Sequence, residues 1–355
     1  MNNAVFKIDM PANEPILGYL KGSKEEKALT AELQRQSETV IEIPLIINGQ
    51  EVKTGKIGEF RMPCDHKHVL ARYHIAGEKE VQMAIDAACN AQKAWSNVPW
   101  QDRAAIAMKI ARLLADKYRA TINAATMLGQ GKNIFQAEID SACEAIDFLR
   151  FNASFMTQIY ADQPLSDATQ MNRIEYRALE GFVFALSPFN FTAIASNLSM
   201  APAIMGNAVV WKPATTAILS NYYLMQIYKE AGLPDGVINF LPGQGSLIGN
   251  IIFKDPRLAG IHFTGSSSTF NSLWSEVAKN LGSYRSYPKI VGETGGKDFI
   301  VVHESADIDM TATGILRGAF EYQGQKCSAC SRVYAPASRW PAIKNKILNM
   351  LATIK

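Results

Sequence analysis

The chain has 355 residues, 48% of them hydrophobic and 19% charged, with a formal net charge of +3. That is enough chain for two domains and the composition of a globular protein with a sizeable core. The small charge and scattered basic residues speak against a nucleic-acid surface, and no apolar run reaches the length of a membrane span.

Met1–Met10 has neither an apolar signal core nor an arginine-rich, acid-free character. Export is not expected; the expected compartment is the cytoplasm, or the mitochondrial matrix in a eukaryote. Five widely spread cysteines, an odd number, suit a reducing compartment. The spacing predicts an exposed helix over Lys24–Ser37 and a hairpin over Leu45–Val52, turned by Asn48-Gly49. Pro63–His68 reads as a loop, and without further ligands nearby His66 and His68 read as loop surface; no metal is expected. Apolar residues at helical spacing predict helices over Glu78–Trp95 and Gln101–Met127, the latter presenting Ile106, Ile110, Leu113 and Leu114 on one face. Phe135–Tyr160 reads as one long helix whose acids, Glu138, Asp140, Glu144 and Asp147, would ordinarily form a solvated face.

From Tyr176 the pattern alternates short apolar runs with helical segments, the signature of βα units on a parallel sheet. Predicted strands are Gly181–Leu186, Ala208–Lys212, Val237–Leu241, Gly260–Thr264 and Lys289–Glu293. Predicted helices are Ala193–Met205, Ala217–Ala231, Gly245–Ile252 and Thr269–Leu281. The fold class is therefore α/β, a Rossmann-like parallel sheet with flanking helices over residues 1–290, with a second α/β domain beginning at 291. Such sheets take ligands at the carboxyl ends of their strands. Here each end carries a suggestive run: Ser187–Phe191, Trp211-Lys212-Pro213, Gly243-Gln244-Gly245, Phe263–Ser266 and Gly292–Lys297. Any one glycine reads equally as a turn or a helix cap. Five such runs in series favour a bound dinucleotide.

Downstream lies Gln323–Cys330. A cysteine beside Lys326 has a nearby cation, which favours thiolate, so Cys327 is a candidate nucleophile. Cys327-x-x-Cys330 is also a redox or metal-ligand spacing, and a small buried cysteine is the ordinary alternative. Glu293, ending an apolar strand, is a candidate general base, or a carboxylate that caps the glycine-rich turn after it. The Asn190 amide and the Cys327 backbone N–H are candidate oxyanion donors. Together with a hydride-accepting dinucleotide, these groups would oxidise an aldehyde through a thioester.

The runs Ser187-Pro-Phe-Asn-Phe-Thr192, Phe263-Thr-Gly-Ser-Ser-Ser-Thr-Phe270, Gly292-Glu-Thr-Gly-Gly-Lys-Asp-Phe299 and Gly324-Gln-Lys-Cys-Ser-Ala-Cys-Ser-Arg332 resemble the aldehyde dehydrogenase superfamily, from about Leu45 onward. Thr294 and Phe270, where the superfamily usually has Leu and Gly, resemble its branch acting on L-glutamate γ-semialdehyde in proline breakdown. The resemblance implies Cys327 as nucleophile, Glu293 as base and Asn190 as oxyanion donor, with Cys330 left to packing. It implies that Lys212 holds the adenosine ribose. Ser187, Pro188 and Phe189, with Gly265, Ser266, Ser267, Ser268 and Thr269, would line the pyrophosphate and nicotinamide. Glu144, Phe191, Lys326 and Ser328 would lie near the aldehyde, Glu144 meeting the substrate's ammonium group.

NAD is the expected cofactor, a small aldehyde the expected partner and a homo-oligomer the expected state of the full-length protein. Many superfamily members carry Glu three residues after the ribose lysine; Thr215 stands there and leaves NADP open as well. The superfamily also continues well past the nucleophile, with a Glu-x-Phe segment for the nicotinamide ribose, a substrate-anchoring loop and a dimerisation strand. The chain is accordingly expected to be a fragment or an incomplete gene product.

Overall fold

The structure is a computed structural model describing residues 6–354, so part of the Met1–Met10 segment lies outside it. The chain packs as two units. One comprises Met1–Thr264 with Ser268–Gly292; the other comprises Gly265–Ser267 with Glu293–Lys355.

The first unit opens with α1 (Lys24–Glu38), whose first turn is capped where the Glu26 N–H donates to Ser23 Oγ. Strands β1 (Ile41–Ile43), β2 (Leu45–Ile47) and β3 (Gln50–Val52) follow. Strands β2 and β3 pair antiparallel across Asn48 and Gly49, both at left-handed φ, 51° and 72°. That pair of conformations is the two-residue hairpin turn that matches strand twist. Next come β4 (Ile57–Met62) and β5 (Asp65–His74), which make a three-stranded sheet of order β1-β5-β4. Most of the predicted Pro63–His68 loop is thus the start of β5; its polar residues, mostly exposed, gave no apolar alternation to read.

Helices α2 (Glu78–Trp95), α3 (Trp100–Asp116) and α4 (Arg119–Gln130) come next. The single helix predicted over Gln101–Met127 is two, because Tyr118 leaves helical geometry (φ −108°, ψ 6°) while Lys117 and Tyr118 both bond Glu230. No Gly or Pro marks that break. The predicted Phe135–Tyr160 helix is also composite: α5 (Ile134–Ala137), a π-helical turn over Glu138–Cys143, then α6 (Glu144–Ala161).

The βα region then lays down β6 (Phe182–Leu186), α7 (Thr192–Ile204), β7 (Ala208–Lys212), α8 (Ile218–Ala231), β8 (Ile238–Phe240), α9 (Gly245–Ile252), β9 (Leu258–Thr264), α10 (Ser267–Lys279) and β10 (Lys289–Glu293). The sheet order is β10-β9-β6-β7-β8-β2-β3. Strands β9, β6, β7 and β8 pair parallel, and β2 joins β8 antiparallel, so the hairpin makes the sheet mixed. Central strands alternate between two cores. Val183, Ala185, Val209 and Trp211 pack with residues of α3, α6, α7 and α8, while Phe182, Phe184, Ala208 and Val210 pack with residues of α2, α9 and α10. Burial on both faces is why these strands read as unbroken apolar runs.

In the second unit, β11 (Phe299–Val301) pairs parallel with β12 (Arg332–Tyr334). Between them α11 (Ile308–Phe320) is capped by Asp307, whose carboxylate accepts from the Met310 N–H at 2.8 Å; α12 (Trp340–Leu351) follows. Its core is Val302, Ala312, Ile315, Leu316, Ile343 and Ile347. No helix among the described residues is long and apolar enough to cross a membrane.

Candidate active site

On the first unit, β6 and β7 end side by side, with Leu186 opposite Lys212. Ser187 and Pro188 are buried just beyond, Ser187 Oγ accepting from the Trp211 indole at 3.0 Å, and Phe189 is exposed. Burial pulls the Lys212 ammonium below its ordinary pKa, and no carboxylate among the described residues pairs with it in an ion bridge. A partly desolvated cation at a sheet edge suits a polar or anionic ligand. Thr215 is half-buried just beyond β7. Ser268 and Thr269 stand exposed in the first turn of α10, which carries no acid, the arrangement that accepts phosphate at a helix start. These residues fit a dinucleotide.

Asn190 and Phe191 are buried at the start of α7. That start is fixed from beneath: Thr192 Oγ1 bonds Thr126 Oγ1, Gln130 Nε2 and Ser220 Oγ, each at 2.9 Å. The Lys132 ammonium lies 4.2 Å from the centre of the Phe191 ring and 2.6 Å from Asp140.

The acidic segment is largely not a solvated face. Glu138 is fully buried and accepts from Arg119, the Leu17 N–H, the Tyr19 hydroxyl and Asn123. Burial pushes its carboxyl upward, but these donors, Arg119 foremost, outweigh burial and hold it below the usual range. The neighbouring Cys143 thiol is pushed up to about 12, by burial and by the Glu138 charge. Asp140 is buried with Lys132, and Asp147 accepts from Asn13 and the Glu14 N–H. Their partners lie far away in sequence or outside the helix, so periodicity alone gave no sign of them. Glu144, half-buried, opens α6 and lines a cavity of about 500 Å³ with Asn13, Asp147, Phe148, Phe151 and Phe155. A larger cavity of about 610 Å³, bordered by Trp100, Arg103, Tyr160 and Arg173, contains none of the candidate residues.

The second unit holds Glu293, Lys326, Cys327 and Ser328, with Gly265, Ser266 and Ser267. Glu293 is exposed, and its carbonyl accepts from the Gly265 N–H at 3.1 Å. Three residues on, Gly296 lies so close to Cys327 that a Cβ there would meet the Cys327 carbonyl oxygen at 2.4 Å. The turn after Glu293 is thereby laid against the Cys327 backbone. Cys327 is half-buried and Ser328 exposed; the Lys326 ammonium stands 3.9 Å from Glu321. Before them Tyr322, Gln323 and Gly324 all take left-handed φ (49°, 52° and 70°), a run no sequence signal announced. Non-glycine residues held there cost of order 1–3 kcal/mol each and mark over-determined, often functional, backbone. Cys330 bonds backbone: its N–H donates to Gly318 O at 2.8 Å and its thiol to Arg332 O at 3.2 Å. Among the described residues no three His, Cys, Asp or Glu gather as a metal cluster.

The aldehyde dehydrogenase family model matches residues 52–355. The chain belongs to the aldehyde dehydrogenase family. It is 50% identical, over 341 residues, to the probable delta-1-pyrroline-5-carboxylate dehydrogenase of Schizosaccharomyces pombe, covering 95% of this chain and 62% of that protein. It is 48% identical to the mitochondrial delta-1-pyrroline-5-carboxylate dehydrogenase of Dictyostelium discoideum, covering 98% of this chain and 63% of that one. The Mycobacterium tuberculosis delta-pyrroline-5-carboxylate dehydrogenase, solved bound with NAD, superposes with a TM-score of 0.97 at 46% identity, over 100% of this chain and 66% of that chain. The chain thus spans a little over three fifths of the length of these curated relatives.

Proposed function

We propose that this chain carries the dinucleotide-binding and nucleophile-bearing parts of a dehydrogenase that oxidises L-glutamate γ-semialdehyde to L-glutamate. The observation that carries the chemistry is the close approach of the Glu293–Gly296 turn to the Cys327 backbone. Candidate base and candidate nucleophile are built into one packed unit. The substrate is supported by the relatives' names, and NAD by the relative solved with it.

In this reading the Cys327 thiolate adds to the aldehyde carbon, forming a C–S bond and an alkoxide. In the same reading the Asn190 amide and the Cys327 N–H are the donors to that oxygen. A bound nicotinamide dinucleotide would supply the hydride acceptor, held by Ser187, Lys212, Ser268 and Thr269 with the Gly265–Ser267 turn. Glu293 removes a proton from the water that attacks the resulting thioester, releasing the acid and restoring the thiolate. Glu144 supplies negative charge for the substrate ammonium, and Phe191, Lys326 and Ser328 border the aldehyde.

Replacement of the thiol tests this directly. Cys327→Ser should abolish reduced-cofactor formation from glutamate semialdehyde and leave dinucleotide binding, followed by quenching of tryptophan fluorescence, within about twofold, because the hydroxyl keeps the shape but not the ionised nucleophile. Turnover that survives in C327S and disappears in C330S would move the nucleophile to the other cysteine.

A further inference from the structure

Residues 6–20 form neither helix nor strand and lie outside the span matched by the family model. They are nevertheless tied closely to the acidic segment. Asn13 Nδ2 and the Glu14 N–H donate to the two oxygens of Asp147, at 2.8 and 2.7 Å. The Glu14 carboxylate bridges two guanidiniums, Arg119 at 2.5 Å and Arg150 at 2.6 Å. Arg119 also donates to Pro15 O, and Leu17 and Tyr19 donate to Glu138.

The Arg150 contact bears on charge. Arg150 stands three residues past Asp147 on α6, the spacing at which a cation pairs with an acid of its own helix. Glu14 engages it instead. Glu14 and Glu138 are thus the carboxylates that meet the two guanidiniums, and the Asp147 carboxylate is held by the amide of Asn13 and the N–H of Glu14. Two acids, Glu144 and Asp147, border the cavity, which also presents Phe148, Phe151 and Phe155, whose ring faces attract a cation.

We propose that Asn13 and Glu14 are positioning residues that fit the Glu144 cavity to aldehydes bearing an ammonium group. They fix Asp147 and hold Arg150 away from the acids it would otherwise neutralise, and they act on substrate only through that helix. The inference rests on the reading of Glu144 given above.

The test compares two aldehydes, glutamate semialdehyde and a chain-matched semialdehyde without the amino group. In Glu14→Gln, kcat/KM for the amino aldehyde should fall about tenfold, chiefly through KM, while the plain aldehyde stays within twofold. Asn13→Ala should move the same ratio less, and Glu14→Asp should recover part of it. An equal loss on both aldehydes would reduce the segment to a structural prop, and no loss would make it idle; either overturns the proposal. Should the wild-type protein turn over neither aldehyde, the ratio is read from calorimetric binding of L-glutamate against glutarate. A wild type that binds neither, or shows no preference, likewise overturns it. The outcome of C327S bears on the chemistry alone, so the two readings fail separately.

Discussion

At the level of single residues, Asn190 and Thr215 carry the most direct expectations. Asn190 sits at the buried start of α7, above the Thr192 hydroxyl cluster. Asn190→Ala should lower turnover by about 10²–10³-fold, the usual loss of one oxyanion donor, with a much smaller change in substrate affinity. Steady-state kinetics separate the two, and a loss confined to affinity would make Asn190 a binding residue only. Thr215→Glu should sharpen preference for NAD over NADP by setting a negative charge where a 2′-phosphate would lie. An unchanged ratio of kcat/KM for the two cofactors would mean that position 215 does not face the ribose. Glu144, Lys326 and Ser328 came only from the family resemblance, whereas the candidates at the sheet edge were legible because reactive side chains and glycines cluster at predicted strand ends. Arg119, Lys132 and Glu14 were not, because each acquires its role from a partner distant in sequence: Glu138 for the first, Phe191 for the second, Arg150 for the third.

Among the elements, the strands of the main sheet were the most legible. Ala208–Lys212 and Lys289–Glu293 have the bounds read from sequence; the first is a buried parallel strand and leaves an uninterrupted apolar run, whereas the second is mostly exposed. Helix breaks were less so. Tyr118 ends one helix and begins the next without a Gly or Pro, and the π-helical turn is invisible to a 3.6-residue period. The turn after Glu293 offers an element-level test. Gly296→Ala places a methyl 2.4 Å from the Cys327 carbonyl oxygen, a contact between backbone and Cβ that no side-chain rotation relieves. The variant should lose at least about tenfold in turnover through displaced reacting groups and should change the rate of Cys327 alkylation by iodoacetamide. Unchanged alkylation and turnover would show that the two loops move apart at no cost.

For the molecule as a whole, the buried Arg119–Glu138 pair sets an expectation in acid. The folded-state pKa of Glu138 is depressed, so the stability it contributes is present in full above the unfolded pKa of about 4.3 and is lost as pH falls through the lower, folded value. Glu138→Gln should cost about 3–5 kcal/mol at neutral pH, the usual effect of breaking a buried pair. Its melting temperature should converge on that of the wild type as pH drops below 4. A gap that stays constant with pH would mean that Glu138 is not ionised in the folded protein. In the second unit, Phe299, Val301, Met310, Tyr334 and Leu348 are all exposed, and the Phe299 and Tyr334 rings meet edge to face with centroids 5.7 Å apart.

The π-helical turn at Glu138–Cys143 also sets a rule about length. Such a turn closes its hydrogen bonds one residue later than an α-helical turn. Removing a single residue within it would let the segment run on as plain α-helix, and five residues at about 100° each turn through nearly the angle that the six of Glu138–Cys143 cover now, so Glu144, Asp147 and Arg150 would still face Asn13 and Glu14. Side chains in this stretch can be exchanged one at a time, each at its own cost. A single in-frame codon deletion within Glu138–Cys143 should therefore disturb the acidic cavity less than the same deletion in the regular helix α6 that follows, where every residue beyond the cut turns by about 100°.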